Sequence, residues 1–245
     1  MDSPMPHARS GESRFPPPGR RTFLRAAGLV ALGGFAGCQT ATQAKSVPAG
    51  GWPDVPPPPV ETPVAATVPL VTPLGPVLPR AAWTREGPDF TAMDRMVPIH
   101  HVTIHHDGLS ALFETDDLEA TAARIELYRR GHCGRGWADI GYHFVIDRAG
   151  RVWEGRPRDW QGAHVKDRNP GNIGILVMGN FEVQRPTDAQ LATLDRHLAA
   201  TRSYWGVSWS HVLSHREWPG ATTLCPGRHL QERFAAMRGD VVVVA

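Results

Sequence analysis

Two histidines and one cysteine have side chains that suit a metal ion. His105 lies near the end of an alternating run, His101–His106, and His215 precedes Cys225 by ten residues. Imidazole nitrogen and thiolate sulfur both bind Zn²⁺, and three protein ligands leave a fourth position for water. Zinc lowers the pKa of such a water to about 7, which supplies hydroxide for hydrolysis near neutral pH. The residue types alone leave other sets open, because the chain has twelve histidines and a buried cysteine is commonly a small apolar residue.

The hydrophobic pattern predicts strands that alternate with helices around these residues. The predicted elements are, in order, a strand at 101–106, a helix at 116–130, strands at 142–147 and 151–155 joined by a turn, a strand at 173–178, a helix that begins at Thr187 and a helix at 228–237. Strands interleaved with helices favour the α/β class. We expect a single central mixed β-sheet flanked by about three helices, with the zinc site in a surface groove at the sheet.

Strand alternation separates neighbouring histidines, because successive side chains point to opposite faces of a sheet. Only one of His105 and His106 can therefore face a given site, and we assign His106 to the core or to a supporting position. His143 is likewise expected to point away from the side of Tyr142.

Eight short motifs follow one another in the order seen in a known family. They are Pro79-Arg-Ala-Ala-Trp83, Val102-Thr-Ile-His-His106, Gly136-Trp-Ala-Asp-Ile-Gly-Tyr-His-Phe-Val-Ile146, Gly150-Arg-Val-Trp-Glu-Gly-Arg156, Gly162-Ala-His164, Ile173-Gly-Ile175, Gly179-Asn-Phe181, and His215-Arg216 with Cys225-Pro-Gly227. In this order the chain resembles the peptidoglycan recognition protein and type-2 N-acetylmuramoyl-L-alanine amidase family. The resemblance covers about residues 79–238.

This resemblance implies a zinc-dependent hydrolase that cleaves the amide bond between N-acetylmuramic acid and L-Ala of peptidoglycan. Position by position, His105 and His215 match the metal-binding histidines and Cys225 the thiolate ligand. Tyr142 matches the catalytic tyrosine that sits over the metal and assists the attacking water or stabilises the oxyanion. Thr223 matches a catalytic position that is Thr in the recognition-protein branch and Lys in phage-type members.

Two further positions match family members that line the peptide groove. His164 and Asn169 are assigned on this basis to substrate binding, with a purely structural role in the loop as an equal alternative for each.

Three other interpretations of the resemblance stay open. Members that have lost the metal cysteine only bind peptidoglycan, whereas Cys225 is present here and favours catalysis. A branch that trims anhydro-muropeptides uses a glutamate as general base at the position of Leu176, which argues against that role. The third interpretation is a structural protein that ties a membrane to the cell wall.

The N-terminal third differs in composition from the rest. Arg20-Arg21 and the apolar run 26–36 resemble a twin-arginine signal, and Ala36-Gly37-Cys38 resembles a lipobox. We therefore divide the chain into a signal peptide at 1–37, a Pro-rich disordered tether at 38–78 that begins at the lipidated Cys38, and a zinc amidase domain at 79–245. Eleven prolines between residues 46 and 80 favour an extended tether.

These features predict a periplasmic protein held to a membrane by its lipid. Gln39 does not resemble the Asp retention signal of enterobacteria, which favours the outer membrane over the inner one. Five arginines in residues 1–37 account for the net charge of +2, and the nearly neutral remainder excludes nucleic acid as a partner. The expected partners are peptidoglycan and its muropeptides, and we expect a monomer.

Overall fold

A computed structural model describes residues 68–239. The predicted signal, Cys38 and the tether before residue 68 lie outside this range. The elements are β1 Leu70–Thr72, β2 Gly75–Val77, β3 His101–His106, α1 Leu118–Cys133, β4 Phe144–Ile146, β5 Val152–Glu154, β6 Asn172–Val177, α2 Asp188–Trp205, β7 Val212–Ser214 and α3 Arg228–Arg238, with short 3₁₀ helices at Arg80–Ala82, Phe90–Ala92, Trp209–His211 and His215–Glu217.

Five strands form the central sheet, in the order β5-β4-β6-β3-β7. β4, β6, β3 and β7 run parallel to one another, and β5 pairs antiparallel with β4. Every residue of β6 is buried, as expected for a central strand that is covered on both faces. The predicted mixed sheet with three helices is confirmed.

Helices cover the sheet on both faces. Ala122, Ile125 and Tyr128 of α1 pack with Val145 and Leu176 of the sheet. The opposite face packs against both remaining helices, through Leu191, Leu194 and Leu198 of α2 and Leu230 and Phe234 of α3. None of the helices between residues 68 and 239 combines the length and hydropathy that a membrane span requires.

Local capping explains where two of the helices begin. Thr187 and Gln190 form the predicted capping box at the start of α2, with Gln190 N–H donating to Thr187 Oγ1 over 3.1 Å. α1 begins two residues later than the predicted helix at 116–130, because Asp117 caps it and its Oδ1 accepts from the N–H of Ala120 over 2.7 Å.

The folded part begins earlier than residue 79. β1 and β2 form a hairpin, and Leu74, Val77 and Leu78 are buried. Leu78 also joins the edge of the central sheet, donating to Val152 O and accepting from the N–H of Glu154, each over 2.8 Å. Residues 70–78, which we expected to be disordered tether, are therefore part of the domain. Proline is compatible with a two-stranded edge and its turn, so a high proline content does not exclude a hairpin.

Candidate metal centre

The first two histidines are brought together by the parallel pairing of β3 with β7. Ile104 lies opposite Ser214 in the register. The next residues, His105 in β3 and His215 directly after β7, therefore lie side by side at the carboxyl ends of the two strands. Their ring centroids are 4.7 Å apart at an angle of 62°. His105 is buried and His215 is half-buried.

Cys225 reaches the same edge from the loop before α3. Its Sγ lies 3.6 Å from Nδ1 of His105 and accepts from the backbone N–H of His106 over 3.4 Å. One ligand atom from each of Cys225, His105 and His215 lies within 4.8 Å of the other two. In residues 68–239 no other group of three His, Cys, Asp or Glu side chains brings ligand atoms together in this way.

Gly227 allows this loop to pass close to the sheet. Its φ is +83°, and a Cβ at this position would lie 2.3 Å from the carbonyl carbon of Phe181. The peptide bond between Cys225 and Pro226 is cis. Residue 227 therefore tolerates no side chain, and the close approach of its backbone to Phe181 helps to set the position of the Cys225 thiol.

Burial determines the protonation of these groups. It holds the pKa of His105 well below its ordinary value and lowers the pKa of His215 to about 4, so both rings are neutral at pH 7 with lone pairs available. Burial also raises the pKa of the Cys225 thiol to about 12, against the lowering effect of the His106 N–H. A cation bound here would favour the thiolate. Two neutral imidazoles and one thiol fit a zinc ion.

Tyr142 lies beside the first histidine. The centroids of the Tyr142 and His105 rings are 5.1 Å apart. Burial raises the pKa of Tyr142 above its ordinary value, and negative charge at Cys225 and Asp107 would raise it further. A protonated phenol can donate a hydrogen bond to a group beside His105.

Thr223 lies two residues before the cysteine and is half-buried. Its Oγ1 accepts from the backbone N–H of Cys225 over 3.1 Å. The hydroxyl hydrogen stays available for donation to another group.

A sequence profile for the N-acetylmuramoyl-L-alanine amidase family, Amidase_2, matches residues 95–228 of this chain. The chain belongs to the Amidase_2 family. The matched segment contains both histidines, the cysteine, Tyr142 and Thr223.

Relatives of this Amidase_2 chain include both named amidases and named recognition proteins. The chain is 32% identical over 164 residues to a peptidoglycan-recognition protein of Drosophila melanogaster, covering 66% of this chain and 86% of the relative. It is 32% identical over 152 residues to the N-acetylmuramoyl-L-alanine amidase of Sus scrofa, covering 61% of this chain but spanning 25% of the relative's length. A solved complex of peptidoglycan recognition protein-LE with tracheal cytotoxin has a TM-score of 0.58 at 26% identity, covering 65% of this chain and 92% of the other.

Two residues assigned to substrate binding have internal contacts in this Amidase_2 domain. His164 is only 7% exposed, and its ring lies against His105, with Nδ1 3.1 Å from His105 Nε2. Asn169 Oδ1 accepts from the backbone N–H of His164 and of Val165, over 3.0 and 3.1 Å. His164 is therefore held against His105, and Asn169 closes the loop that carries it. The assignment of both residues to substrate binding stays a prediction.

His106 lies where alternation predicted, and Leu176 is a neighbour of the site. His106 points to the opposite face, where its Nδ1 accepts from the N–H of Phe181 over 3.1 Å. Leu176 lies opposite His105 in the register of β3 and β6 and is fully buried. An alkyl side chain therefore stands next to the first histidine, where it has no proton to transfer.

Two buried polar residues that support the site were not predicted. Thr103 and Asn172 are fully buried on adjacent strands, and Thr103 Oγ1 donates to Asn172 Oδ1 over 2.9 Å. One signal was available, since a polar residue in a strand that is buried on both faces requires a hydrogen-bond partner.

Proposed function

We propose that this protein is a zinc-dependent N-acetylmuramoyl-L-alanine amidase. It hydrolyses the amide bond between N-acetylmuramic acid and the L-Ala of peptidoglycan stem peptides, in turnover or remodelling of the cell wall. The observation that carries this proposal is the convergence of His105, His215 and Cys225, whose ligand atoms lie within 4.8 Å of one another. Membership of the Amidase_2 family supports it.

The zinc ion would be held by two imidazole nitrogens and one thiolate. Bound there, it would supply a Lewis acid for the scissile carbonyl and a water of lowered pKa. Tyr142 donates a hydrogen bond to the carbonyl oxygen as negative charge develops on it, which stabilises the transition state more than the substrate. Thr223 can donate a second hydrogen bond but adds no charge. Leu176, which lies opposite His105 and is fully buried, presents only an alkyl group and excludes water from that side.

A peptidoglycan-binding protein without hydrolytic activity is the second candidate. The relatives named as recognition proteins favour it. Cys225 favours the enzyme, because a binding protein does not need a buried thiol within 3.6 Å of a histidine nitrogen. Anhydro-muropeptide trimming is the weaker enzymatic candidate, since Leu176 has no acid–base function.

Metal removal separates hydrolysis from binding. We expect the purified protein to release free stem peptides from diaminopimelate-type sacculi, as identified by mass spectrometry. Dialysis against a chelator should abolish this release, because the water loses its activating ion, and added Zn²⁺ should restore it. Sedimentation with the sacculi should persist after chelation. Sedimentation without any release of stem peptides, with or without zinc, would identify a binding protein instead.

We also propose that residues 1–37 export the protein and that Cys38 carries a lipid that anchors it in the periplasm, at the outer membrane. The paired arginines, the short apolar run and the small residues before Cys38 support this assignment. In a host with twin-arginine export, Cys38→Ala should move the protein from the detergent-soluble membrane fraction to the soluble periplasm. Cys133→Ser is the matched control and should stay in the membrane fraction. Membrane retention of Cys38→Ala would contradict the anchor.

A further inference from the structure

A chain of buried hydrogen bonds runs from Trp218, three residues after His215, to His105. The indole Nε1–H of Trp218 donates to Thr103 Oγ1 over 2.9 Å, and Thr103 donates to the side chain of Asn172. The backbone carbonyl of Asn172 lies 3.2 Å from Nε2 of His164. The other ring nitrogen of His164 lies 3.1 Å from Nε2 of His105.

The direction of the last two bonds follows from the carbonyl group. A carbonyl oxygen only accepts, so the hydrogen between His164 and Asn172 is on Nε2 of His164. A neutral imidazole has one donor and one acceptor nitrogen, so a His164 ring that donates from Nε2 to Asn172 accepts at Nδ1. His105 must then donate from its own Nε2. Nδ1 of His105 then carries no hydrogen, and its lone pair faces Cys225 Sγ, which lies 3.6 Å away.

Two glycines leave room for the His164 ring. A Cβ on Gly162 would lie 2.4 Å from Cδ2 of His164, and a Cβ on Gly174 would lie 2.6 Å from the same atom. Asn169 holds the backbone of His164 from the other side through its side-chain oxygen. The ring of His164 therefore packs directly against the backbone of Gly162 and Gly174, where a methyl group would clash with it. This packing fixes its orientation toward His105.

We propose that His164 is a positioning residue that fixes His105 as the Nε2–H tautomer and orients its Nδ1 lone pair toward the metal position before any metal binds. The inference deepens the proposed function and rests on it for the identity of the ligands. Partners of this kind typically change metal affinity by about 10- to 100-fold when they are removed.

The first measurement is the tautomer of His105 in the full-length, metal-free protein. Long-range ¹⁵N–¹H correlation spectra of histidine-labelled protein distinguish a protonated from an unprotonated ring nitrogen. We expect the hydrogen of His105 on Nε2 and the hydrogen of His164 on Nε2. A hydrogen on Nδ1 of His105 would overturn the proposal, whatever the protein hydrolyses.

The second measurement compares two variants by zinc affinity, in competition with a chromogenic chelator. His164→Phe keeps a ring but no acceptor, and should bind Zn²⁺ about 10- to 100-fold more weakly. His164→Asn places an acceptor close to the original Nδ1 and should recover part of that loss. His197→Phe is the matched control, because His197 is a buried histidine that contacts Leu74 and Phe144 away from the site, and its zinc affinity should be unchanged.

The outcomes separate this inference from the proposed function. An active amidase whose His164→Phe variant binds zinc as the wild type does would overturn the positioning role alone. A wild-type protein that shows the expected tautomers and zinc affinities but releases no stem peptides would overturn the amidase alone. If His164→Phe fails to fold, the wild-type tautomers and the His164→Asn variant still decide the question. A zinc affinity of His164→Asn no higher than that of a Cys225→Ser protein would contradict rescue.

Discussion

Replacing Cys225 with serine should lower amidase activity by at least about 10³-fold, because the change removes the thiolate while conserving the shape of the side chain. Losing the ion removes several kcal/mol of transition-state stabilisation, and each 1.4 kcal/mol corresponds to a factor of about ten in rate. Zinc content, measured by atomic emission on the purified protein, should fall from about one ion per chain toward zero. The serine hydroxyl still fits beside the N–H of His106, which donates to Sγ in the wild type, so the fold should be retained.

Cys133→Ser is the control for this change. Cys133 is half-buried at the end of α1, where its Sγ lies 3.7 Å from Nη1 of Arg129. This variant should keep both zinc and activity. A Cys225→Ser protein that retains wild-type zinc content and full release of stem peptides would contradict the ligand assignment. Retained binding to sacculi by an inactive Cys225→Ser protein would show that recognition and cleavage depend on different parts of the surface.

Replacing Tyr142 with phenylalanine should lower kcat by about 10²- to 10³-fold and change KM little. This magnitude is typical for removal of one hydrogen-bond donor that acts on a developing oxyanion. The ring itself remains, so its packing beside His105, with centroids 5.1 Å apart, should be kept. Zinc content should therefore equal that of the wild type. Steady-state kinetics on a defined muropeptide, together with metal analysis of the same preparation, measure both quantities.

Tyr204→Phe provides the matched control, because Tyr204 is 54% exposed on α2 and loses the same atom. Its kcat and zinc content should be those of the wild type. If Tyr142→Phe loses zinc in proportion to activity, the hydroxyl supports the metal site and not the transition state. If the kcat of Tyr142→Phe is unchanged, the oxyanion role would be assigned to Thr223.

Much of the fold follows from the local sequence. Alternation and apolar runs located β3 and β6, and the capping box at Thr187 located the start of α2, because these features depend on near neighbours in the chain. The hairpin at residues 70–78 was not predicted. Its turn and its prolines resemble a linker until Leu74 and Leu78 are seen to be buried by residues far along the chain.

The candidate site was likewise predicted only where it depends on the local sequence. Alternation correctly separated His105 from His106, but pairing of β3 with β7, which brings His215 beside His105, is a property of the sheet order. His164 was assigned to the peptide groove or to a structural role in its loop on the family resemblance, which does not show its contact with His105. That contact depends on Gly174, which lies on β6 and leaves room for the ring of His164.

The hairpin of β1 and β2 has a mechanical consequence for a domain that is pulled from its N-terminal side. Leu78 is hydrogen-bonded to β5, the strand at one outer edge of the sheet. His105 lies in β3, and His215 directly follows β7, the strand at the opposite edge. Tension applied at residue 68 is first borne by the backbone pairs between β1 and β2 and by the packing of Leu74 and Val77. The load enters the sheet three strands away from β3, so we expect the hairpin to yield before the spacing of His105 and His215 changes.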